Sequence, residues 1–236
     1  MSSNPKTFGI EVLFKDDDCL FVNKPSGVLT QAPPGIDSIE RRIKSYLKSA
    51  DSYLGVPHRL DRAASGVMVF AKTPKAARRL AEQFQAKTVE KIYWALVAGK
   101  VSEPQGTWID SMRKVVGVPR AELIPADHPE AKQAILHYIT RGQTEAITWL
   151  EIHLETGRTH QIRLQAGRRG HPILGDQLYG SNSLFGETHV DERLRAIALH
   201  AHKLSLIHPT NRQSMTIEAP PPVSWLPYLD QFHPVT

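Results

Sequence analysis

The stretch HRLDRAASGVMVFA, residues 58–71, decides the fold predicted for this chain. Its second half, Val67–Ala71, is an unbroken apolar run, which predicts a strand that is buried on both faces. Shortly before that strand, Asp61 stands between Arg59 and Arg62. An aspartate beside an arginine is most often a solvated ion pair of little energetic value. A carboxylate that is anchored by a buried strand, with a Ser-Gly turn behind it, indicates instead a reactive side chain.

Basic residues are concentrated in two blocks of the chain. The sequence has 236 residues, enough to bury a core, and a formal charge of +5. Between Val56 and Arg79 the single acid is Asp61, and the four arginines between Thr156 and Gly175 meet no acid at all. One such block alone is typical of a solvated face. Two blocks beside turn glycines indicate a surface that binds phosphates.

The remaining composition excludes several classes of protein. Cys19 begins the run CLFV, which predicts a buried strand thiol rather than a nucleophile, because no base or cation is adjacent to it. A lone cysteine also excludes a disulfide within the chain. No apolar stretch reaches the roughly 18 residues that cross a bilayer, and Met1–Pro5 lacks the apolar segment of a signal peptide. We therefore expect a cytoplasmic protein with no membrane partner.

Two helices are predicted from capping signals and apolar spacing. Asp37 with Glu40 resembles a capping box ahead of a helix over about Ser38–Lys48. Thr73 followed by a proline predicts the start of a second helix, which should end near Lys87. Ser224 is predicted to cap a short terminal helix.

Strands are predicted to outnumber these helices. β-branched and aromatic runs predict strands at residues 10–14, 20–23, 67–71, 89–97, 134–140, 146–154, 199–207 and 214–218. Residues 100–131 are expected to form loops and short strands. Because no regular βαβ alternation is present, we predict an α+β fold with a mixed, largely antiparallel sheet and helices packed on it. We expect one domain over residues 1–236.

Several motifs occur in an order that resembles one known family. They are DDCLFVNKPSG (17–27), HRLD (58–61), KIY (91–93), TGRTHQIR (156–163) with GHPILGD (170–176), and LHAHKL (199–204) with HP (208–209). Each motif alone is weak, but the ordered set closely resembles the RluA-type pseudouridine synthases over nearly the whole chain. The resemblance implies the pseudouridine-synthase catalytic fold, here as a stand-alone domain without an additional N-terminal RNA-binding domain.

The resemblance also implies a reaction: a uridine in structured ribosomal or transfer RNA is isomerised to pseudouridine, without cofactor or metal. By match to the motifs, Asp61 is the essential aspartate, Arg163 is its cationic partner, and Tyr93 stacks on the target base. Breaking the N1–C1′ bond builds positive character at C1′, which an ionised carboxylate stabilises. In a dry pocket such a carboxylate needs an opposite charge. From the residues alone, Arg163 fits a phosphate ligand equally well, and a strand tyrosine such as Tyr93 is more often a core residue.

A uridine inside folded RNA has to be flipped out of its stack before chemistry at C1′. The resemblance points to Arg59 as the side chain that fills the gap, since a flat guanidinium stacks on bases; a surface ion pair is the alternative. Further RNA contacts are expected from Arg62, Lys91, Arg158, His160, Arg168 and Arg169. For each arginine taken alone a solvated charge is the more common role, and for Lys91 a polar pocket wall is the alternative. Leu164 and Ile173 are predicted pocket walls, and core burial explains both equally well. We expect RNA as the partner, no obligate protein partner, and a monomer.

The chain departs from the family pattern at two places. Ala64 stands where relatives usually carry threonine, which removes a hydroxyl from the loop after Asp61. Residues 164–169, LQAGRR, replace a commoner histidine-containing version with a more basic one. These differences affect the predicted rigidity of the loop and the choice of substrate, while Asp61 itself is present.

Three other interpretations remain open at this point. His200 and His202 with His208, or His153 with His160, have a spacing that is feasible for a zinc site, but no carboxylate accompanies them at ligand spacing, which favours no metal. A catalytically silent RNA-binding module of the same fold is the second alternative. A glycosidic hydrolase is the third; its second carboxylate would come from Asp176 or Glu155.

Overall fold

The computed structural model describes residues 9–48 and 53–232, so the expectation about Met1–Pro5 lies outside the described residues. The strands are β1 Glu11–Lys15, β2 Cys19–Lys24, β3 Ser65–Ala71, β4 Glu90–Ala98, β5 Gln105–Lys114, β6 Ala121–Leu123, β7 Lys132–Gln143, β8 Ile147–Leu154, β9 Leu199–Ile207 and β10 Ser214–Glu218. The α-helices are α1 Ile39–Tyr46, α2 Pro74–Gln85, α3 Gln161–Arg168 and α4 Leu226–Leu229. Within the described residues, every helix is too short or too polar to cross a bilayer.

The chain forms two compact units. The first comprises Met1–Lys91, His189–Leu194 and His200–Pro222, and the second comprises Ile92–Thr188, Arg195–Leu199 and Val223–Thr236. The single catalytic domain expected over residues 1–236 stays a prediction.

In the first unit the buried strand β3 is the centre of the sheet. The order is β1-β2-β3-β9, and β10 pairs with residues 203–207 of β9. β1 to β2 and β2 to β3 are antiparallel, whereas β3 runs parallel to β9 where Ser65 faces His200. All seven residues of β3 are buried, as the apolar run predicted, and α2 packs on this strand through Ala76 and Leu80.

In the second unit the strand order is β4-β8-β7-β5-β6, with antiparallel pairing throughout. Helix α3 packs on β6, and its Leu164 joins Met112, Ala121 and Ala134 in a buried cluster. Burial of each large apolar side chain contributes about 2 kcal/mol. The sheet of the first unit is thus mixed and that of the second is antiparallel, with helices packed on both, which confirms the predicted mixed, largely antiparallel fold class.

Two of the predicted caps differ in the structure. Thr73 caps α2 as predicted, since its Oγ1 accepts a hydrogen bond from the Ala76 amide at 3.1 Å. For α1, however, the cap is Ser38, whose Oγ accepts from the Arg41 amide, and not Asp37. The Asp37 carboxylate is bound by Arg42 instead. Ser224 is not a cap either, because it lies inside a 3₁₀ turn that runs directly into α4.

Two elements of the second unit were not predicted. Residues 100–131 contain the ten-residue strand β5, which has little alternation of its own and is held by continuous pairing of Gln105–Met112 with β7. Helix α3 was missed because Gly167 lowers its helix propensity. A Cβ at Gly167 would lie 2.4 Å from the Tyr179 carbonyl oxygen, so tertiary packing requires glycine there.

Candidate active site

The Asp61 loop, which we define as residues His58–Ala64, leads directly into β3. Its last turn is closed by a hydrogen bond from the Ala64 amide to the Asp61 carbonyl oxygen at 3.2 Å. Ala64 is buried, Asp61 is half-buried and Arg59 is exposed. The turn is closed by backbone atoms alone, so a threonine hydroxyl at position 64 is not needed to close it.

The end of the loop is anchored by the Ser-Gly pair that follows it. Ser65 Oγ lies 2.9 Å from His200 Nδ1, and His200 Nε2 lies 3.0 Å from the Ala219 carbonyl oxygen. A carbonyl only accepts, so His200 carries its proton on Nε2 and Nδ1 accepts from Ser65. Burial lowers the pKa of His200 to about 4, so the ring is neutral. Gly66, at φ +122°, would place a Cβ 2.3 Å from the Ala201 carbonyl oxygen, so only glycine fits.

The start of the loop is anchored by His58. Its Nε2 accepts a hydrogen bond from the Val69 amide of β3 at 3.1 Å, and its ring stacks on Phe84 with centroids 4.6 Å apart. Burial, together with the charge of Lys91, lowers the pKa of His58 to about 3. The ring therefore stays neutral and keeps its acceptor near pH 7.

The fully buried Lys24, at the end of β2, is a cation of this unit that interacts electrostatically with Asp61. Its Nζ donates to three carbonyl oxygens, those of Pro25 and Val28 at 2.8 Å and of Arg62 at 3.3 Å. Burial lowers the pKa of Lys24 to about 7, and the negative charge of Asp61 opposes that shift. Three acceptors satisfy all three N–H groups of an ammonium. Lys24 therefore ties the loop to β2, and its protonated form provides a positive charge near Asp61.

In the second unit, Arg163 is held by a buried carboxylate. Arg163 lies in the first turn of α3. Its Nε donates to Asp176 Oδ2 at 2.7 Å, and its Nη2 donates to Asp176 Oδ1 at 2.8 Å. The two side chains are 8% and 1% exposed. The Arg163 guanidinium also lies 5.2 Å from the centre of the Tyr179 ring. This bidentate geometry is the strongest that an arginine makes with a carboxylate, and it fixes the plane of the guanidinium.

Tyr179 also holds the residue before α3. His160 adopts the left-handed conformation, at φ +52°, and its Nδ1 lies 2.9 Å from Tyr179 Oη. The Ala121 amide donates to the same Oη at 2.9 Å. We name Arg163, Asp176, Tyr179 and His160 the Arg163 cluster. Within this unit, hydrogen bonds and ring contacts give the Arg163 side chain one orientation.

Comparison with known proteins places these motifs in a family. Residues 18–167 match the model of the family described as RNA pseudouridylate synthase. The chain belongs to this family. An RNA pseudouridine synthase of Synechocystis sp. is 34% identical over 232 residues, which cover 94% of this chain and 69% of that protein. The ribosomal large subunit pseudouridine synthase D of Xanthomonas campestris pv. campestris is 34% identical over 230 residues, 92% of this chain and 68% of that protein.

A solved structure supports the fold. The human RNA pseudouridylate synthase domain containing 1 superposes with a TM-score of 0.75 at 22% identity, covering 100% of this chain and 92% of that one. The resemblance predicted from the motifs is confirmed. This synthase is an enzyme that isomerises uridine in RNA.

The other predicted site residues of the synthase differ in their surroundings. Tyr93 lies on β4 opposite Ile152 and is half-buried. Arg62 donates from Nε to the Gly27 carbonyl oxygen at 2.9 Å, so its side chain helps to hold the loop. Burial lowers the pKa of Lys91. The predicted roles of these residues stay predictions.

The predicted site residues around α3 are of two kinds, basic residues and apolar residues. Arg168 is exposed, whereas Arg169 binds Asp110 at 2.8 Å and lies over the Trp108 ring. Leu164 and Ile173 are buried, as core residues are, and their role as pocket walls stays untested. Arg158 donates from Nε to the Gln133 carbonyl oxygen at 3.0 Å.

Sequence reasoning missed Lys24 and weighed Asp176 only as a hydrolase carboxylate. A signal was present for both. A lysine that ends a run of buried strand residues, and an acid after the apolar ILG of residues 173–175, each require an opposite charge or several acceptors when buried.

Among the described residues, one group has the proximity of metal ligands: Asp16, Cys19 and His208. His208 Nδ1 accepts from the amides of Thr210 and Asn211, so Nε2 carries the proton and donates to Asp16 Oδ2 at 2.7 Å. Burial raises the pKa of the Cys19 thiol to about 12. The side-chain interaction in this group is thus a hydrogen bond between His208 and Asp16. Cys19 is buried, as predicted. In the described residues, the histidine sets considered from sequence do not form such a group.

Proposed function

We propose that this synthase converts a specific uridine of structured ribosomal or transfer RNA to pseudouridine, with Asp61 as the essential carboxylate. The observation that carries this proposal is the anchoring of the Asp61 loop. His58 and Ser65 tie its two ends to buried elements, and Lys24 binds its backbone. A carboxylate that is held in this way stabilises positive charge at C1′ without reorganising during the reaction.

The proposed reaction is balanced within the substrate. The N1–C1′ bond breaks, its electron pair stays with the uracil, and Asp61 compensates the positive charge at C1′. After the uracil turns, C5 bonds to C1′, the C5 proton leaves and N1 gains a proton. Tyr93 stacks on the base and assists removal of the C5 proton. Because no water is consumed, exclusion of water keeps isomerisation ahead of hydrolysis.

We propose Arg163 as the cation that keeps Asp61 ionised, and Arg59 as the side chain that replaces the flipped uridine. The fixed guanidinium plane supports the first role, because an oriented arginine loses little entropy when it binds a second acceptor. The exposure of Arg59, next to the buried Leu60, supports the second. Further RNA contacts by Arg62, Lys91, Arg158, His160, Arg168 and Arg169 belong to the same proposal, as do a cytoplasmic location and a reaction without cofactor.

The test is release of tritium from RNA that contains uridine labelled at C5. The substrate is bulk RNA from a strain that lacks this gene. We expect Asp61→Asn to lower the rate by about a thousandfold or more, as loss of a main electrostatic group does. The matched control is Asp17→Asn, an exposed aspartate in the β1–β2 turn. Wild-type rates in Asp61→Asn would refute the assignment.

The same assay separates the alternatives. A catalytically silent RNA-binding module binds this RNA and releases no tritium, and a hydrolase liberates free uracil. Arg163→Gln should lower turnover more than RNA affinity, and equal turnover at saturating RNA would remove Arg163 from the mechanism. Arg59→Ala should impair structured RNA more than a short single strand. Dialysis against a chelator should leave the rate unchanged.

A further inference from the structure

A basic groove lies beside the hairpin of β5 and β6 in the second unit. Its volume is about 620 Å³. The lining residues come from the end of β5, the hairpin turn, the start of β7 and the loop before α3: Met112, Arg113, Lys114, Val116, Gly117, Glu130, Lys132, Gly157, Arg158 and Thr159. Of these residues, Arg158 is the one for which the sequence predicts an RNA contact.

The charges of the groove are unbalanced. Arg113 is bound by Glu122 at 2.8 Å and by Glu130, so its charge is compensated within the protein. Lys114, Lys132 and Arg158 have no acidic partner among the described residues. Glu130 is the one acid in the lining, and it is occupied by Arg113. Three positive charges therefore remain for a ligand.

The strand register places the two lysines on one face. Met112 is opposite Lys132 in the β5–β7 ladder, and directly opposed residues share a face of the sheet. Lys114 is two residues beyond Met112 on the same strand, and therefore on the same face. Met112 is 1% exposed and packs against Leu164 of α3. The two lysines thus lie at the strand ends, next to the buried apolar side chain of Met112.

Arg158 is directed by the same strands. Its Nε donates to the carbonyl oxygen of Gln133, the neighbour of Lys132 on β7, and its amide donates to Gln161 Oε1 at 3.1 Å. Within residues 9–48 and 53–232, no hydrogen bond uses the Nη groups of Arg158, which can therefore donate to a ligand. A guanidinium oriented by a backbone carbonyl is well suited to bind a phosphate.

We infer that this groove binds the sugar-phosphate backbone of the substrate RNA next to the target uridine. This inference rests on the proposed function and adds a site to it. Among the described residues, those that line the groove include no phenylalanine, tyrosine or tryptophan, so the expected contacts are to phosphates rather than to bases stacked on aromatic rings. Binding at this site is therefore tolerant of sequence and sensitive to salt.

Chain connectivity sets the distance between the groove and Arg163. Arg163 is the fifth residue after Arg158, so their Cα atoms are at most about 18 Å apart. A stacked strand rises about 3.4 Å per nucleotide, so that distance corresponds to about five nucleotides. The groove therefore contacts RNA within about five nucleotides of the uridine on which Asp61 and Arg163 are proposed to act.

The test compares Lys114→Gln and Lys132→Gln, alone and together, with Lys100→Gln. Lys100 is an exposed lysine of the same unit whose partner is Glu145. Affinity for oligouridylate and oligoadenylate of about 16 nucleotides is measured at several salt concentrations. Each groove substitution should weaken binding about threefold to tenfold for both sequences, and should reduce the slope of log K against log salt by about 0.7.

The outcomes separate this inference from the proposed function. Tritium release at RNA concentrations below saturation should fall in the double variant in proportion to its loss of affinity, and should stay at the wild-type rate in Lys100→Gln. If the wild type releases no tritium, the proposed function fails while the binding comparison still reports on the groove. If the Lys114 and Lys132 variants have the same affinity and salt slope as Lys100→Gln, the inference is overturned. An acidic protein would then be the better candidate ligand for the groove. A loss confined to one of the two sequences would also overturn it.

Discussion

Replacing Asp176 with asparagine tests the buried ion pair that orients Arg163. Asparagine keeps the shape of the side chain but has one acceptor oxygen, and its amide group would face a guanidinium N–H. One of the two hydrogen bonds is therefore replaced by a contact between two donors. Because the two side chains are 8% and 1% exposed, water does not compensate the loss.

The expected cost follows from that burial. Removing one partner of a buried ion pair leaves an uncompensated charge, which costs about 3–5 kcal/mol. For a protein of this length each kcal/mol lowers Tm by about 2–4 °C, so we expect a decrease of roughly 6–20 °C. A well-packed apolar replacement of both residues, Arg163→Met with Asp176→Leu, should recover most of this stability, because no charge is left buried.

Tryptophan fluorescence during urea unfolding is a suitable assay. All four tryptophans, at positions 94, 108, 149 and 225, belong to the second unit, so the signal reports on the unit that contains the pair. The control is Glu145→Gln, which removes the acid of the exposed pair with Lys100 and should cost at most about 1 kcal/mol. A cost of the same size for Asp176→Asn would refute the reasoning from burial.

Three further predictions concern the Asp61 loop. Gly66→Ala should lower the free energy of unfolding in urea by about 3 kcal/mol or more, since its Cβ would meet a backbone oxygen. The control Gly117→Ala, at φ +80° in open space, should cost about 1 kcal/mol. Equal costs would contradict the steric argument. The unfolded state holds the Lys24 proton up to pH 10.5 and the folded state up to about 7, so stability should rise with pH between these values in the wild type and rise less in Lys24→Met. The folded pKa values of His58 and His200 are about 3 and 4, so their contribution to the free energy of unfolding is complete above pH 6.5. Below that pH the contribution is lost, by at most about 2.7 kcal/mol per pH unit for the two residues together. A free energy of unfolding that stays constant from pH 6.5 to 4 would oppose this prediction.

Local patterns in the sequence were sufficient for most of the first unit. The run Val67–Ala71 predicted β3 because a strand covered on both faces has no polar positions. Thr73 with the proline after it predicted the start of α2, since the cap and the fixed proline φ act within one turn. The ordered motifs predicted the family, because several motifs that are each weak alone occur in one order over nearly the whole chain.

Elements that depend on distant partners were not predictable in this way. β5 gains its order from the β7 ladder, and α3 retains Gly167 because the Tyr179 carbonyl oxygen occupies the space of a side chain. Neither condition leaves a local pattern, since both partners are remote in sequence.

For the site, the sequence alone predicted which carboxylate and which arginines carry the chemistry, because residue type and motif order are written in the chain. Only the tertiary structure decided what holds them: the three carbonyl acceptors around Lys24, the neutral His200 behind Ser65, and the carboxylate of Asp176 on Arg163. The physical reason is that burial and hydrogen bonding set the charge and the orientation of a side chain. Both depend on which remote residues the fold brings within about 3 Å.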